Sequence, residues 1–115
     1  VTLGATRVDV AAGTRITWRR EGDRIRAAQT GSATWRVGVD DTLTIDAMLA
    51  SIEATHANVR VEVEMNSEDK RAIAISAAVA MVTVVVYEGT VDVIESHRST
   101  RVAPGATYRI AGPNA

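Results

Sequence analysis

Apolar and polar residues alternate in three short stretches of the first third of the chain. The apolar members of these stretches are Val8 and Val10, Ile16 and Trp18, and Ile25 and Ala27. A side-chain period of two is typical of a strand with one buried face. The pattern therefore predicts three half-buried strands before residue 30.

Short breaks that contain glycine separate these stretches. They fall at residues 11–13, 21–23 and 30–31, and their glycines are Gly13, Gly22 and Gly31. Glycine accepts the positive φ that tight turns require. We therefore expect an antiparallel meander in which each strand turns into the next.

The pattern continues into the middle of the chain. A fourth strand is expected to carry Ala33, Trp35, Val37 and Val39 on one face, and residues 43–45 indicate a fifth. Residues 46–58 fit a short helix around Met48, Leu49 and Ile52 or a strand, and we favour the strand. The next strand places three valines inward, namely Val59, Val61 and Val63.

One helix is predicted, from Glu68 to Val79. Asn66 or Ser67 supplies its N-cap, and acidic residues occupy its first turn. Residues 72–87 carry no charge, but this run of 16 is shorter than the roughly 18 to 20 residues that span a bilayer. It also changes from alanine-rich to β-branched, so we predict a helix leading into a buried strand.

The last third returns to strands. Residues 82–87 are apolar on both predicted faces, which indicates a central strand. Glu88 and Gly89 are expected to form a hairpin turn into the next strand, and Pro104 and Gly105 a second turn before Tyr108. The predicted fold is all-β, with stacked short antiparallel strands in a sandwich or short solenoid and one inserted helix, as a single domain over residues 1–115.

Composition and charge exclude several function classes. Hydrophobic residues make up 46% and charged residues 23%, as in ordinary globular domains. The chain has no cysteine, which excludes disulfides, zinc-thiolate sites and cysteine nucleophiles. Its net charge of -1 argues against nucleic acid as a partner.

The residues suited to catalysis or metal binding are few. His56 and His97 stand alone in predicted turns, and no phosphate loop, nucleophile elbow or zinc motif occurs. Asp40 and Asp41 could hold a hard cation with Asp46, but their spacing matches no calcium loop. We therefore expect no enzymatic activity, no metal and no cofactor.

Charge is distributed unevenly. Residues 1–38 hold seven arginines against three acids, whereas residues 39–71 hold eight acids against three bases. The alternation turns several arginines to one outer face, and these candidate partner-binding residues are Arg15, Arg19, Arg24 and Arg26, which Arg36 is expected to join. A protein or an anionic ligand would suit them. Alternatively, they pair with acids of the same domain, such as Glu62 and Glu64, or are solvated.

The order of turns and strands resembles the FecR-like domain. Its most specific element is residues 84–93, Val-Val-Val-Tyr-Glu-Gly-Thr-Val-Asp-Val, which is similar to the family's V-x-V-x-E-G-x-V-x-V pattern. The other resembling stretches are residues 8–16 around Gly13, residues 31–37 from Gly31, and residues 102–106 around Pro104 and Gly105. The resemblance covers residues 8–111.

Two stretches depart from the family pattern. Where the family shows Arg-Gly-Thr-x-Phe, residues 55–59 read Thr-His-Ala-Asn-Val and lack both the glycine and the aromatic residue. The alanine-rich residues 68–80 are similar to an insertion, which either caps an open edge of the strands or is specific to this branch.

The resemblance implies a non-enzymatic sensor domain in the bacterial periplasm that acts by protein contact. The domain would be tethered, through a membrane segment outside this chain, to a cytoplasmic regulator such as an anti-sigma factor. The resemblance identifies neither the signal that is sensed nor the oligomeric state. The alternative is a structural or self-assembling β module, because exposed strand edges can polymerise.

Overall fold

The computed structural model describes residues 2–3, 5–47, 50–66, 79–96 and 98–113. These residues are all-β, as predicted, and form one mixed sheet. Its strands are β1 (Thr2–Leu3), β2 (Thr6–Val10), β3 (Arg15–Glu21), β4 (Arg24–Arg36), β5 (Thr42–Ala47), β6 (Ala50–Asn66), β7 (Val79–Ile94), β8 (Ser99–Val102) and β9 (Thr107–Pro113).

The predicted helix from Glu68 to Val79 lies outside the described residues, except for Val79, which begins β7. The described part of the chain contains no helix long and apolar enough to cross a membrane. The strand favoured for residues 46–58 is confirmed from Ala50 onward, where β6 begins.

Two of the predicted turns are wrong, because the strands continue through them. β4 runs through Gly31, and β7 runs through Glu88 and Gly89 without reversing, since β7 pairs with β6 on both sides of them. Gly31 and Gly89 do have positive φ values of 92° and 86°. Within a strand, such a glycine produces a bulge or bend. The strands are therefore longer than the pattern predicts.

The strand pairings require the sheet to fold over itself. Residues 31–36 of β4 pair directly with residues 58–63 of β6, antiparallel. Residues 24–28 of β4 and 50–55 of β6 lie beyond opposite ends of this paired segment, yet both pair with β5. These two segments can lie on either side of β5 only if β4 and β6 bend. The bends fold the sheet over itself and give a sandwich-like fold. β5 is parallel to β4, whereas the other pairings of the described strands are antiparallel, as predicted.

The bends divide the strands between two half-sheets. The first half-sheet contains β3, residues 24–30 of β4, β5, residues 50–55 of β6, residues 90–94 of β7, and β8. The second contains β1, β2, residues 31–36 of β4, residues 58–66 of β6, residues 79–88 of β7, and β9.

Three turns occur where the sequence predicts them. Glu21 pairs with Arg24 across a two-residue hairpin loop. Residues 11–14 and 103–106 each close an i to i+3 backbone hydrogen bond, with Gly13 and Gly105 at positive φ. The strands on either side of these two turns do not pair with each other: β2 and β3 both lie along β4, and β8 and β9 both lie along β7. The prediction of a meander, in which each strand pairs with the next one along the chain, is therefore wrong.

The core lies on the inward face of both half-sheets. In the second, valines pair directly across β6 and β7, Val59 with Val86, Val61 with Val84 and Val63 with Val82, and all are buried. Three residues predicted to point inward are substantially exposed. Val39 is 67% exposed because it follows the end of β4, Val10 ends β2, and Trp18 is 50% exposed because it lies on an edge strand.

One buried polar side chain sits inside this core. The Oε1 atom of Gln29 accepts a hydrogen bond from Trp35 Nε1 at 2.8 Å. Its Nε2 atom donates to the carbonyl oxygens of Val61 at 2.7 Å and Gly31 at 3.1 Å. The side chain is thus fully paired, as a buried amide must be, and it stabilises the bend of β4 at Gly31.

Candidate functional site

The outer face of the first half-sheet carries four of the five predicted arginines. Arg19 lies directly opposite Arg26 across β3 and β4, Arg24 lies opposite Glu21, and Arg15 opposite Thr30. All four arginines are exposed, and the neighbouring Ile16 and Ile25 turn inward. The alternation of the sequence therefore places these four arginines correctly.

The five predicted arginines do not all lie close together. Arg36 lies in the second half-sheet beside Arg7 and Asn58, after the bend of β4 at Gly31. Arg15 is four residues from Arg19, or ~13 Å along β3. The structure brings together Arg19, Arg24 and Arg26, and it does not bring Arg36 to them.

These three arginines line one side of a depression of about 350 Å³, here termed the arginine depression. The other described lining residues are Glu21, Ile25, Thr42, Thr44, Glu53 and Thr55. Threonine hydroxyls both donate and accept hydrogen bonds, and guanidinium groups bind carboxylates in pairs of hydrogen bonds. The lining therefore suits a polar, carboxylate-bearing surface.

Internal ion pairs neutralise this arginine group only in part. Arg26 donates to Asp46 through Nε at 3.0 Å and Nη2 at 3.4 Å, in an exposed pair. Arg19 approaches Glu21 at 3.7 Å, with both side chains more than 70% exposed. Within the described residues, Arg24 has no ion pair. Such exposed pairs contribute about 1 kcal/mol or less, so they compete weakly with a partner.

The alternative, in which these arginines pair within the domain or are solvated, also describes this face. Arg19 and Arg26 pair with acids of the domain, and Arg15 and Arg24 are exposed without an ion pair in the described residues. Glu62 pairs with Arg60 at 2.6 Å in the second half-sheet. Glu64 makes no ion pair with any arginine of the described residues. The acids that form ion pairs with these arginines are Glu21, which pairs with Arg19, and Asp46, which pairs with Arg26.

A buried carboxylate anchors the strand that carries Arg19. Arg20 turns to the inward side of β3 and donates from Nη2 to Asp41 Oδ1 at 2.7 Å. Thr6 Oγ1 donates to Asp41 Oδ2 at 2.6 Å and accepts from the backbone N–H of Gly38 at 3.1 Å. Asp41 is only 3% exposed. The cluster ties β3, β2 and the segment between β4 and β5 together.

The sequence offers Asp40, Asp41 and Asp46 as possible ligands of a hard cation, although no metal is expected there. Asp41 and Asp46 are bound by different arginines, Arg20 and Arg26. Within the described residues, no three acidic or histidine side chains are grouped so that they could hold a metal ion.

The environment of Asp41 predicts a pH effect on stability. The hydrogen bond from Thr6, together with that of Arg20 and its charge, lowers the pKa of Asp41 although burial opposes the shift. A carboxyl with a lowered folded pKa stabilises the fold above its unfolded pKa, and this contribution disappears as the pH falls through the folded value.

We therefore expect the free energy of unfolding to fall below about pH 4, and to fall less steeply in Asp41→Asn. Urea unfolding between pH 7 and pH 3 measures both slopes. Glu95→Gln is the positive control. Hydrogen bonds from Tyr108 and Arg98 lower the pKa of Glu95 as well, so the free energy of unfolding of this variant should also fall less steeply with acid. An identical acid slope in wild type and Asp41→Asn would contradict the assignment.

The stretch that departs from the FecR-like pattern forms a bulge. Thr55 pairs with Thr90 and Asn58 with Glu88, so that His56 and Ala57 together oppose Gly89. His56 has φ 46°, the one positive value among the described non-glycine residues. Histidine tolerates this conformation better than most side chains, so the bulge forms without the family's glycine.

The bulge borders a second depression, of about 430 Å³. Its lining includes Arg36, His56, Asn58 and Glu88. Arg36 therefore lies at a different surface from the arginine depression. His97 lies outside the described residues.

The comparisons with known proteins show the fold. No family model and no curated protein matches the chain. Two crystal structures described as a "putative anti-sigma factor" from Parabacteroides distasonis ATCC 8503 superpose with TM-scores of 0.70, at 23% and 22% identity. Each match covers 99% of this chain and 50% or 49% of the other. The chain thus spans about half the length of these structures.

Proposed function

We propose that this chain is a non-enzymatic sensor domain of a bacterial anti-sigma-type regulator, located outside the cytoplasm and acting through protein contact. The observation that carries this proposal is the fold match, which takes in almost the whole chain and half of a "putative anti-sigma factor". The FecR-like pattern at residues 84–93 agrees with this proposal, although residues 88 and 89 form a bulge and not the expected hairpin. The membrane anchor and the cytoplasmic part would lie outside this sequence.

The arginine depression is the contact surface that we favour. Arginine is enriched at protein interfaces, and Arg24 is exposed without an ion pair in the described residues. The described lining contains arginine and threonine, which can bind polar and anionic groups of a partner through hydrogen bonds. This chemistry supports binding.

A self-assembling scaffold is the second candidate. The edge strand β3 favours it, because it pairs only with β4 among the described strands and such edges can join other chains. A scaffold would form filaments as its concentration rises, whereas a sensor domain would not require them.

Charge reversal at the depression should abolish signalling. In the full-length protein, we expect Arg19→Glu with Arg24→Glu to change transcription of the genes that the cognate sigma factor controls. The fold should persist, because exposed substitutions usually change stability by less than about 0.5 kcal/mol each. Transcript levels and a thermal melt of the purified domain measure the two effects. Arg7→Glu with Arg109→Glu is the matched control, since both residues are exposed arginines of the second half-sheet.

Three outcomes would contradict the proposal. A lower melting temperature of the double variant would indicate that Arg19 and Arg24 stabilise the fold. A normal melt with unchanged transcription would place the contact elsewhere. Filaments of the purified domain, together with unchanged transcription, would favour the scaffold.

A further inference from the structure

Several features of the edge strand β3 suit it to bind another strand. β3 pairs with β4 along all seven of its residues, and among the described strands it has no second neighbour. In the described part of the chain, no strand covers the side of β3 that faces away from β4, so an added strand can pair there.

An apolar row of the core ends uncovered at this edge. Strand pairing aligns Trp18 with Ala27, then with Ile45, Ile52 and Val93 on successive strands. The last four are at most 2% exposed, whereas Trp18 is 50% exposed. Ile16, on the same face, is half-buried. An added strand with apolar side chains would extend the row and cover the Trp18 ring.

The outward face of β3 is positively charged. Arg15 has no ion pair within the described residues, and Arg19 has only its 3.7 Å contact with Glu21. Arg20 is different, because its bond to the buried Asp41 holds the strand in place. The edge is therefore held in a fixed conformation before any partner arrives, which lowers the entropic cost of binding.

We propose that the open edge of β3 binds an extended segment of a partner protein as an added antiparallel strand. The segment carries carboxylates beside Arg15 and Arg19, and apolar side chains beside Ile16 and Trp18. This proposal rests on the proposed function, because it specifies how the protein contact is made.

A second copy of the chain fits this edge less well. If two β3 strands pair antiparallel about Trp18, Arg15 faces Glu21 of the other copy, but Arg19 faces Thr17 and Arg20 faces Ile16. Arg19 then lacks a carboxylate, and the apolar side chain of Ile16 meets a guanidinium. An acidic segment of another protein satisfies both faces at once.

A synthetic peptide tests the proposal. The peptide Lys-Thr-Glu-Val-Thr-Val-Glu places glutamate opposite Arg19 and Arg15, and valine opposite Trp18 and Ile16, when it runs antiparallel to β3. We expect it to shift the tryptophan fluorescence of the purified domain to shorter wavelength. The shift reports Trp18, because Trp35 is already fully buried.

Two control peptides separate strand addition from simple charge attraction. Lys-Thr-Val-Glu-Thr-Glu-Val has the same composition, but it turns its glutamates to the Trp18 face. We expect it to bind at least about tenfold more weakly, a difference of about 1.4 kcal/mol. The first peptide with alternate backbone nitrogens methylated should lose binding by a similar factor, because it cannot form the ladder of hydrogen bonds.

The proposal is wrong if the first peptide does not bind, or if all three peptides bind equally. Trp18→Ala provides a second test, in which isothermal titration calorimetry replaces the lost fluorescence signal of Trp18. We expect the first peptide to bind this variant more weakly, and unchanged binding would overturn the proposal. If the peptide fails while Arg19→Glu with Arg24→Glu still alters transcription, strand addition is wrong and the proposed function stands.

Discussion

Gly89→Val is expected to lower the free energy of unfolding by about 3 kcal/mol or more. Gly89 has φ 86°, which strains a β-branched residue by roughly 1 to 3 kcal/mol. In addition, a β carbon at this position would overlap the carbonyl oxygen of His56 and lie 2.6 Å from the α carbon of Ala57. Backbone atoms of the neighbouring strand cannot move aside as a flexible side chain can. Urea denaturation measures the loss.

Gly105→Val is the matched control. Gly105 has the same φ of 86°, but a β carbon there would meet nothing within 4 Å. We expect it to lose only the backbone contribution. Equal losses in the two variants would show that the bulge opposite Gly89 relaxes freely.

Asp41→Ala is expected to cost about 3 kcal/mol. The substitution removes the buried partner of Arg20 and Thr6 and leaves both polar groups without their shared acceptor. Breaking a buried pair by removing one member typically costs about 3 to 5 kcal/mol, and partial exposure of Arg20 favours the lower end.

Asp46→Ala separates this cost from that of an ordinary ion pair. Asp46 also accepts two hydrogen bonds from an arginine, Arg26, but both side chains are exposed. We expect a loss of about 1 kcal/mol or less. If the two alanine variants unfold at the same urea concentration, the Asp41 cluster does not anchor β3.

The sequence could predict the strands and their inward faces, but not the bends. Alternating valines on both sides of Glu88 and Gly89 are typical of a hairpin, and a positive φ at Gly89 fits a hairpin or a bulge equally well. The bulge depends on His56 and Ala57, which lie on β6, more than 30 residues earlier, and oppose Gly89 of β7. Local sequence patterns do not contain that pairing.

The same limit applies to the candidate site. Alternation places Arg19, Arg24 and Arg26 on one face, because all three lie before the bend at Gly31. Arg36 lies after that bend and is carried into the second half-sheet. The same alternation places Arg20 inward with Ile16 and Trp18, and an inward cation requires a carboxylate. That signal indicates a buried partner, although only the fold identifies it as Asp41.

Photo-crosslinking tests most directly whether the arginine depression contacts a protein. A benzophenone-bearing residue would replace Arg24 in the full-length protein, and the same residue would replace Arg109 in the control. On illumination of intact cells, position 24 should give one discrete crosslinked protein species and position 109 should give none. Crosslinking from position 109 alone, or from neither position while the variants fold and are expressed normally, would contradict a contact at this face.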